Sequence, residues 1–486
     1  MKFKNILIAN RSEIARRVIR SASECGYYTI SVHSPHDANA LYVREADKAH
    51  SLQGNLPNES YLDTEQILAI AKKTKADAIH PGYGFLSENA HFSEAATKAG
   101  IKFIGPEPEA IDLLGDKTKA RTLAKKLGVP TPSGTTEALS SDKEAIKVAK
   151  EVGYPVLLKA AAGGGGKGMR VVKREEDLLS NLARAKGEAL GAFGDDRVYV
   201  EKFITAPRHI EFQILADSHG NAVHLGEREC SIQRRNQKLV EESPSVAVDE
   251  SLRKEMSEAA LSLVRAAKYE GAGTVEFLID EDGKYYFLEV NTRLQVEHPV
   301  TEYCTGLDLV REQFRIAEGE RLSFSQKDIQ FRGHSIEVRI QAEDVWSDFL
   351  PSLGAISYVR HPGGAFVRND SALFPGLEVS GFYDSLLAKL IVWDLDRGSA
   401  INRMKRALKE MRVVGVATTI PFAAFVMSNQ TFINGAFSTK FVDQEFRAEV
   451  RDALCEKILS EYRPAFEKMA REQQELRERK LFAGVK

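Results

Sequence analysis

Two apolar runs in the middle of the chain each carry one carboxylate. Glu276 interrupts the first run, and Glu289 interrupts the second, which continues to Asn291 and Arg293. Alternate residues of a β-strand share one face, so Glu289 and Asn291 point the same way and Glu276, on a paired strand, can join them. Two carboxylates and an amide oxygen form a site suited to Mg²⁺ or Mn²⁺. The alternative is a pair of solvent-facing acids on an amphipathic hairpin, which the apolar neighbours disfavour because they indicate burial.

Charged and amide side chains alternate directly after the second run. In the sequence RLQVEHP, Arg293 could hold an anion and Glu297 could act as a base, although a lone glutamate is more often part of an exposed salt bridge. A basic run, QRRNQK, ends at Lys238 and lacks interleaved aromatic residues, so it favours a pocket for a small anion over nucleic-acid binding. Glu337 and Arg339 share one face of a strand-like run, where a surface ion pair is an equally good interpretation.

A glycine-rich stretch, GGGGKG at residues 163–168, could cover phosphates. Its backbone N–H groups can approach a polyphosphate closely, although the stretch does not match the P-loop pattern. A flexible linker is the alternative, but strand-like runs at 155–161 and 170–172 flank the glycines and favour a hairpin. Lys159 ends the first of these runs, which is costly without an anionic partner. Lys117, in the sequence GDK, is a second phosphate-binding candidate, and each lysine alone is more often a surface residue.

Strand-like and helix-like runs alternate over residues 1 to about 114, which predicts a parallel sheet with crossover helices. The predicted strands are 5–9, 28–33 and 78–80, with an amphipathic helix at 13–25. A proline pair then marks a boundary. The later predicted units are a mobile lid at about 131–204, long strands at 209–216, 273–279 and 284–291, a strand-rich unit at about 330–445 and a charged helical tail at 446–486.

The composition of the 486-residue chain is that of a soluble globular protein, with 43% hydrophobic and 28% charged residues. The formal net charge of -2 gives no global field for nucleic acid or a membrane surface. No apolar run reaches the roughly 18 residues of a membrane span, and the N-terminus has no signal or transit pattern, so a cytoplasmic location is expected. Cys25, Cys230, Cys304 and Cys455 are scattered, which predicts reduced thiols rather than disulfides or a zinc site.

The motifs together resemble the biotin carboxylase family of the ATP-grasp superfamily, over residues 1 to 445. The stretches that carry the resemblance are IANRSEIA, HPGYGFLSEN, FIGP, GDK, GGGGKGMR, PRHIE, ERECSIQRRNQK, EFL, FLEVNTRLQVEHPVTE and GHSIEVRIQAED. The resemblance implies an α/β fold. Its implied parts are an N-terminal parallel-sheet (pre-ATP-grasp) domain at 1–114, an ATP-grasp domain with its mobile lid at 115–330, a C-terminal mixed α+β domain at 331–445, and the charged helical tail.

The resemblance also implies separate groups of residues for ATP, for two Mg²⁺ or Mn²⁺ ions and for bicarbonate. The implied nucleotide-binding residues are Lys117, Lys159, His209, Gln233, Asn236 and Leu278, with Gly165 and Gly166 in the lid over the phosphates and Glu201, Lys202, Phe203 and Ile204 along the adenine. The implied metal ligands are Glu276, Glu289 and Asn291, and the implied bicarbonate ligands are Lys238, Arg293, Gln295 and Val296. Glu297 would deprotonate bicarbonate, and Arg339 would lie beside the ureido oxygen of biotin.

The implied reaction is the carboxylation of biotin through carboxyphosphate. Bicarbonate attacks the γ-phosphate of ATP, carboxyphosphate breaks down to CO₂ and phosphate, phosphate takes the N1 proton of biotin, and Arg339 stabilises the resulting oxyanion. Neither Met404–Lys405 nor Lys468–Met469 resembles a biotinylated lysine between methionines in a tight hairpin. A separate biotin carboxyl carrier protein is therefore expected, and with it a homodimer and a carboxyltransferase subunit.

Two positions depart from the family's pattern. Ser12 stands where glycine is usual, which is expected to cause a local backbone adjustment, and Asn236 replaces a histidine found in bacterial acetyl-CoA carboxylase members. By analogy alone, acetyl-CoA or propionyl-CoA is the favoured final acceptor and pyruvate the second. Another ATP-grasp ligase, making carbamoyl phosphate or a peptide-like bond, and a non-catalytic homologue stay open. The RLQVEHP segment with Arg339 favours the biotin carboxylase, and the complete set of metal and base residues disfavours a non-catalytic protein.

Overall fold

The N-terminal residues form a five-stranded parallel sheet in the computed structural model, which describes residues 2–135, 138–160, 169–458, 460, 468 and 471. The strands are β1 (Asn5–Ile8), β2 (Tyr28–His33), β3 (Lys48–Ser51), β4 (Ala78–His80) and β5 (Lys102–Phe103). The accompanying helices are α1 (Ser12–Glu24), α2 (Leu41–Glu45), α3 (Thr64–Thr74), α4 (Ala90–Lys98) and α5 (Pro108–Gly115). The strand order β3-β2-β1-β4-β5 confirms the predicted parallel sheet.

Ser12 begins α1 with a φ of 62°, in the left-handed region that glycine adopts most readily. The backbone therefore passes from β1 into α1 through a conformation that disfavours a side chain. The serine that departs from the family's pattern thus occupies a position where glycine would be less strained.

The segment expected to be the lid forms a small three-stranded antiparallel sheet with two helices. It follows α6 (Lys117–Lys126), and its elements are α7 (Asp142–Val152), β6 (Val156–Ala160), β7 (Met169–Val172), α8 (Leu178–Phe193) and β8 (Val198–Lys202). The strand order is β7-β6-β8, and the unit has a hydrophobic core of its own, which includes Leu158 and Leu182. The glycine-rich stretch between β6 and β7, including Gly165 and Gly166, lies outside the described residues.

The next strands build the sheet on which most of the candidate site residues lie. They are β9 (Arg208–Ala216), β10 (Ala222–Arg234), β11 (Gln237–Ser243), β12 (Gly271–Ile279) and β13 (Tyr285–Asn291). The helices of this part are α9 (Glu250–Ala266), α10 (His298–Thr305) and α11 (Leu309–Ala317). The three long strands predicted here are confirmed, whereas β10 and β11, which carry the basic run, were not recognised as strands.

The C-terminal strands continue the same sheet. They are β14 (His334–Gln341), β15 (Glu343–Asp344), β16 (Leu350–Pro351), β17 (Gly354–Ala355), β18 (Tyr358–Arg360), β19 (Val367–Ser371), β20 (Glu378–Val379), β21 (Leu386–Asp394) and β22 (Arg412–Val414). The eight-stranded order is β13-β12-β9-β10-β11-β14-β21-β19, so the sheet passes across the domain boundary expected at residue 330. The helices are α12 (Arg397–Glu410), α13 (Ile420–Ser428), α14 (Gln430–Ile433) and α15 (Phe441–Glu445).

Beyond α15, residues 448–458 are helical, and Leu454 packs against the C-terminal hydrophobic core. Most of the expected tail after residue 458 lies outside the described residues. Among the helices that the structure describes, none is both long enough and apolar enough to cross a membrane.

Candidate active site

Neighbouring strands bring the candidate metal ligands together. Glu276 on β12 lies directly opposite Glu289 on β13, and on its other side it lies opposite Glu211 on β9. The side-chain Nδ2 of Asn291 donates to Glu276 Oε1 at 2.9 Å. Glu276 is only 4% exposed, so the alternative of two solvent-facing acids is wrong for this residue. The alternation along β13 and the register between β12 and β13 together produce the cluster.

The ammonium group of Lys238 lies among three buried carboxylates. Its Nζ donates to Glu211 at 2.5 Å, to Glu276 at 2.9 Å and to Glu297 at 2.7 Å. Burial alone would lower the pKa of Lys238, but the three carboxylates raise it well above its ordinary value. Lys238 is therefore charged, and it offsets the repulsion among like charges that burial would otherwise make severe.

Glu297 is fully buried at the residue before α10, between two cations. Its Oε1 accepts from Lys238, and its Oε2 accepts from Arg339 at 3.0 Å. Burial would raise the pKa of Glu297, but Lys238, Arg339 and Arg228 lower it well below its ordinary value. The carboxylate is therefore ionised at neutral pH, which is the state that can accept a proton from a bound acid.

Arg293 is held by a residue of the N-terminal sheet domain. Its Nε donates to Glu88 Oε2 at 2.9 Å, while Glu88 Oε1 accepts from the backbone N–H of Thr292 at 2.8 Å. A guanidinium N–H also donates to Asn291 Oδ1 at 3.3 Å. Glu88 thus orients Arg293 on the same side of the sheet as the carboxylate cluster.

Arg339 is partly buried in the site, with its side chain 10% exposed, and it does not form a surface ion pair with its strand neighbour Glu337. Its guanidinium contacts Glu241 Oε1 at 2.5 Å and Glu297 Oε2 at 3.0 Å. Glu337 is fully buried, with neither carboxylate oxygen in a hydrogen bond to the described residues. The interpretation of Glu337 and Arg339 as a surface ion pair is therefore wrong, because Glu337 is fully buried and Arg339 pairs with Glu241 and Glu297 instead.

The two candidate phosphate-binding lysines each contact a carboxylate. Lys117 Nζ lies 2.8 Å from Glu289 Oε2, and Lys159 Nζ donates to Glu201 Oε2 at 3.0 Å. Burial, followed by the charge of Lys117, lowers the pKa of Lys159 to about 7. The anionic partner that a lysine at the end of an apolar run requires is thus present within the chain.

His209 Nε2 lies 2.8 Å from Glu276 Oε2. Burial would lower the pKa of His209, but Glu276 raises it above its ordinary value. Leu278 lies opposite His209 in the β9–β12 pairing, so both residues belong to one end of the sheet.

The remaining candidate nucleotide-binding residues lie at two separate places, namely the end of β8 with the loop that follows it and the end of β10 with the turn that follows it. Glu201 and Lys202 end β8, where the backbone N–H of Lys202 donates to Ser133, while Lys202 Nζ donates to the carbonyl of Gly153 at 2.9 Å. Phe203 and Ile204 follow in a partly buried loop.

Gln233 is buried near the end of β10 and pairs in register with Lys238. Asn236 is exposed in the turn between β10 and β11, with a φ of 65°. The side chains of Arg234 and Arg235 both contact Asp348, so the basic run does not act as one anion pocket and contributes Lys238 alone to the cluster.

Gln295 and Val296 lie in the loop between β13 and α10. The Nε2 of Gln295 is buried without a hydrogen bond to the described residues, which leaves a donor available to a small acceptor. The carbonyl of Val296 accepts from Lys389 Nζ at 2.7 Å. Lys389 is fully buried, and this hydrogen bond fixes the position of the loop.

Sequence reasoning missed several residues of the cluster, namely Glu88, Glu211, Arg228, Glu241 and Lys389. Arg228, for example, is fully buried and donates to Glu211 at 2.5 Å and to Gln213 at 2.7 Å. One sequence signal was available for two of them, because Glu211 and Lys389 are charged residues within largely apolar strand runs. Their partners lie on other strands, so the signal could indicate burial but could not identify the contacts.

The donor set fits a divalent cation. Glu276 and Glu289 are opposed across a strand pair, and Asn291 adds an amide oxygen. These residues are oxygen donors of the kind that Mg²⁺ and Mn²⁺ prefer. In the structure the same groups contact lysine and arginine donors. The arrangement can therefore place an anion near Lys238 and Arg293, a base at Glu297, and a metal-bound polyphosphate beside them.

Comparison with known proteins accounts for nearly the whole chain. Residues 2–111 match the biotin carboxylase N-terminal domain, residues 116–325 match the ATP-binding domain of the carbamoyl-phosphate synthase L chain, and residues 337–444 match the biotin carboxylase C-terminal domain.

Three similar proteins illustrate the relationship. A biotin carboxylase of Nostoc sp. is 53% identical over 444 residues, covering 91% of this chain and 99% of that protein. One subunit of the pyruvate carboxylase of Methanothermobacter thermautotrophicus is 50% identical over 467 residues, covering 96% of this chain and 94% of that protein. The crystal structure of the biotin carboxylase domain dimer of Hydrogenobacter thermophilus 2-oxoglutarate carboxylase, with MgADP, ADP and bicarbonate, has a TM-score of 0.89 and 47% identity, covering 91% of this chain and 98% of that chain.

Proposed function

Because the chain belongs to the biotin carboxylase family, we propose that it uses ATP and bicarbonate to carboxylate biotin on a separate carrier protein, through carboxyphosphate. It is an ATP-dependent ligase that supplies the biotin carboxylase activity of a biotin-dependent carboxylase. The observation that carries the mechanism is the fully buried, ionised Glu297 between Lys238 and Arg339.

The proposed nucleotide site lies between the lid and the large sheet. Lys117 and Lys159 would exchange their present carboxylate partners for ATP phosphates, and residues 201–204 would lie along the adenine. His209, Gln233, Leu278 and the turn residue Asn236 would border the same site, with Gly165 and Gly166 over the phosphates. A divalent cation held by Glu276, Glu289 and Asn291 would neutralise charge on the transferring phosphoryl group.

The proposed bicarbonate site uses the donors that surround Glu297. Lys238, Arg293, Gln295 and the backbone of Val296 would bind the anion, and Glu297 would accept its O–H proton. The freed oxygen would attack the γ-phosphorus of ATP, the bond to ADP would break, and carboxyphosphate would form. Its bond between the carboxyl carbon and the bridging oxygen then breaks to release CO₂ and phosphate.

The second stage transfers CO₂ to biotin. Phosphate would take the N1 proton of the ureido ring, and N1 would then attack the carbon of CO₂. Arg339 would donate to the ureido oxygen while it carries negative charge, which is the point where a fixed cation lowers the barrier most. Closure of the lid, at about 131–204, would exclude water from the labile intermediate.

We propose acetyl-CoA or propionyl-CoA as the final acceptor, with pyruvate as the second candidate. Similar proteins include a stand-alone biotin carboxylase, a subunit of a pyruvate carboxylase and a propionyl-CoA carboxylase α chain, and the acceptor depends on the carboxyltransferase. The proposed partners are a biotin carboxyl carrier protein, a second copy of this chain and a carboxyltransferase subunit, and the cytoplasm is the proposed location. The acceptor can be identified by assaying the purified chain with a biotinylated carrier and candidate transferases. The compound that becomes carboxylated, whether an acyl-CoA thioester or a free acid, is the acceptor.

The decisive experiment measures ADP release by the purified chain with Mg²⁺ and bicarbonate, with and without free biotin. We expect bicarbonate-dependent release that biotin stimulates. Glu297→Gln should lower it by roughly 10²-fold or more, because an amide cannot accept the proton. Glu281→Gln, at an exposed turn between β12 and β13, is the matched control and should behave as the unsubstituted protein.

The outcomes separate the candidate functions. Bicarbonate-dependent ADP release that biotin does not stimulate would indicate another ATP-grasp ligase. Absence of turnover with free biotin but activity with a biotinylated carrier would indicate a strict need for that carrier. ATP binding without turnover in both assays would contradict the proposed function.

A further inference from the structure

Two buried glutamates face each other behind Arg339. Glu241 on β11 lies directly opposite Glu337 on β14, in a regular antiparallel register. Both are fully buried. Directly opposed side chains on neighbouring strands have their Cβ atoms only about 5 Å apart. These carboxyl groups are therefore neighbours in a region that excludes water.

The hydrogen bonds of this pair are incomplete if both carboxyls are ionised. Glu241 Oε1 accepts from the Nε of Arg339 at 2.6 Å, but Glu241 Oε2 and both oxygens of Glu337 have no donor among the described residues. An ionised carboxylate only accepts hydrogen bonds, whereas a protonated one also donates. One proton between the two carboxyls would satisfy an oxygen on each of them.

Among the described residues, the cations of the neighbouring elements form their ion pairs and hydrogen bonds with groups other than Glu337. On β14, Arg339 is shared between Glu241 and Glu297, and on β11, Lys238 contacts three other carboxylates. On β21, Lys389 donates to the Val296 carbonyl and lies 3.4 Å from Glu13 of α1 and 4.0 Å from Asp370 of β19.

Two further titratable groups on the neighbouring elements are Cys230 on β10 and His298 on α10, and both are buried. Burial, reinforced by nearby cations, lowers the pKa of His298 well below its ordinary value, so it adds no positive charge. Within the part of the chain that the structure describes, no cation lies within 4.0 Å of the Glu337 carboxylate.

We propose that Glu337 is protonated and donates a hydrogen bond to Glu241, so that Glu241 remains the carboxylate that positions Arg339. Glu241 is in this sense a positioning residue, because it contacts the guanidinium and not the substrate. The consequence for catalysis rests on the proposed function, in which Arg339 stabilises the ureido oxyanion of biotin.

The direction of the pKa shifts supports this assignment. Burial raises the pKa of Glu241 to about 7. Burial, with the Glu241 charge, outweighs the opposing charge of Lys389 and raises the pKa of Glu337 well above its ordinary value. Two carboxyls this close titrate as a pair, and the first proton is held far more strongly than the second. As the pH falls through about 7, the second proton neutralises Glu241 and leaves Glu297 as the one carboxylate among the described residues that still pairs with Arg339.

The kinetic test compares two matched amide substitutions. Glu241→Gln removes the charge that fixes Arg339, and should lower kcat for biotin carboxylation roughly 10- to 100-fold, as loss of an orienting partner typically does. Its KM for ATP should not change, and the decline of kcat on the acid side of pH 7 should disappear. Glu337→Gln keeps an N–H donor towards Glu241 and should retain a kcat and pH profile close to those of the unsubstituted protein.

A direct test detects the proton itself. At pH 8, infrared spectra should contain the C=O stretch of a protonated carboxyl group, and this band should be weaker in Glu337→Gln. The band needs no turnover, so it tests the carboxyl pair even if the chain proves to catalyse a different reaction. If the unsubstituted protein has no biotin-dependent activity, that result contradicts the proposed function but not the inference about the carboxyl pair.

Three results would overturn the inference. The first is an unchanged kcat and pH profile in Glu241→Gln. The second is a Glu337→Gln protein that unfolds at the normal temperature but loses as much activity as Glu241→Gln. The third is an infrared band that does not change in Glu337→Gln, and this measurement decides the matter if Glu241→Gln fails to fold.

Discussion

Individual residues in this site act through charges that burial makes strong. Lys238 is in contact with Glu211, Glu276 and Glu297, and each of these carboxylates is at least nine-tenths buried. In such surroundings a lost partner leaves an uncompensated charge. The local sequence identified Lys238 and Glu297 as candidates, but Glu88 and Glu211 became visible only through their contacts.

Glu88→Gln tests whether the N-terminal domain positions Arg293, the proposed bicarbonate ligand. The amide keeps the shape of Glu88 but removes the charge that orients Arg293 through its 2.9 Å contact. We expect the KM for bicarbonate to rise roughly tenfold, as for other orienting partners, while the KM for ATP is unchanged. Steady-state kinetics with each substrate varied would measure this.

The control for that experiment is Glu109→Gln, an exposed residue of the same domain. An equal rise of both KM values in Glu88→Gln would indicate a general disturbance of the site. An unchanged KM for bicarbonate would mean that Arg293 is held by its other contacts.

At the scale of elements, sequence patterns were most reliable where apolar residues make up most of a strand-length run. The strands β9, β12 and β13 lie in such runs, whereas β10 and β11 were missed because polar and charged residues occupy both faces of their buried segments. The turn between them uses Arg235 and Asn236 with φ values of 51° and 65°. Asparagine tolerates this conformation better than most residues, which gives a local reason for its presence.

Helix α9 offers a test of local stabilisation. The side chain of its N-cap, Asp249, accepts from the backbone N–H of Leu252 at 2.8 Å. Asp249→Ala should lower the free energy of unfolding by about 1 kcal/mol, because it leaves this N–H without its partner. Chemical denaturation would measure the loss.

Glu258→Ala, at an exposed position within the same helix, is the control and should change stability by no more than about 0.5 kcal/mol. A similar loss in both variants would mean that the cap has no special role.

At the scale of the whole molecule, the large sheet links the ATP-grasp and C-terminal parts through the pairing of β11 with β14. This pairing also places Arg339 of one part beside Glu297 of the other. The site is therefore assembled by a sheet that crosses the expected domain boundary, and its buried carboxyls affect the stability of the entire fold.

The stability of the protein should pass through a maximum at about pH 4.5 and decline between about pH 4.5 and 7. Despite burial, Arg17 and Arg368 lower the pKa of Glu302. Glu302 therefore adds to the free energy of unfolding above the ordinary pKa of a glutamate, and this stabilisation is lost as the pH falls. Burial raises the pKa of Glu13 and Glu241 to about 7, so their contributions are present below the ordinary value and are lost as the pH rises through about 7.

Chemical denaturation at a series of pH values and constant ionic strength would measure this profile. Glu13→Gln removes one of the raised carboxyls and should flatten the decline on the alkaline side, whereas Glu109→Gln should leave it unchanged. Stability that increases steadily from about pH 5 to 8 would contradict the expected balance of these groups.

The sequence by itself determined the parallel N-terminal sheet, the strands β9, β12 and β13, and the shared face of Glu289 and Asn291, because alternation within a strand is a local property. Its motifs also determined the family. Only the tertiary structure decided that Glu88 holds Arg293, from 205 residues away in the chain. It likewise decided that Glu241 faces Glu337 and that Lys238 joins three carboxylates. Such contacts depend on strand register and on packing between distant segments, which local periodicity does not specify.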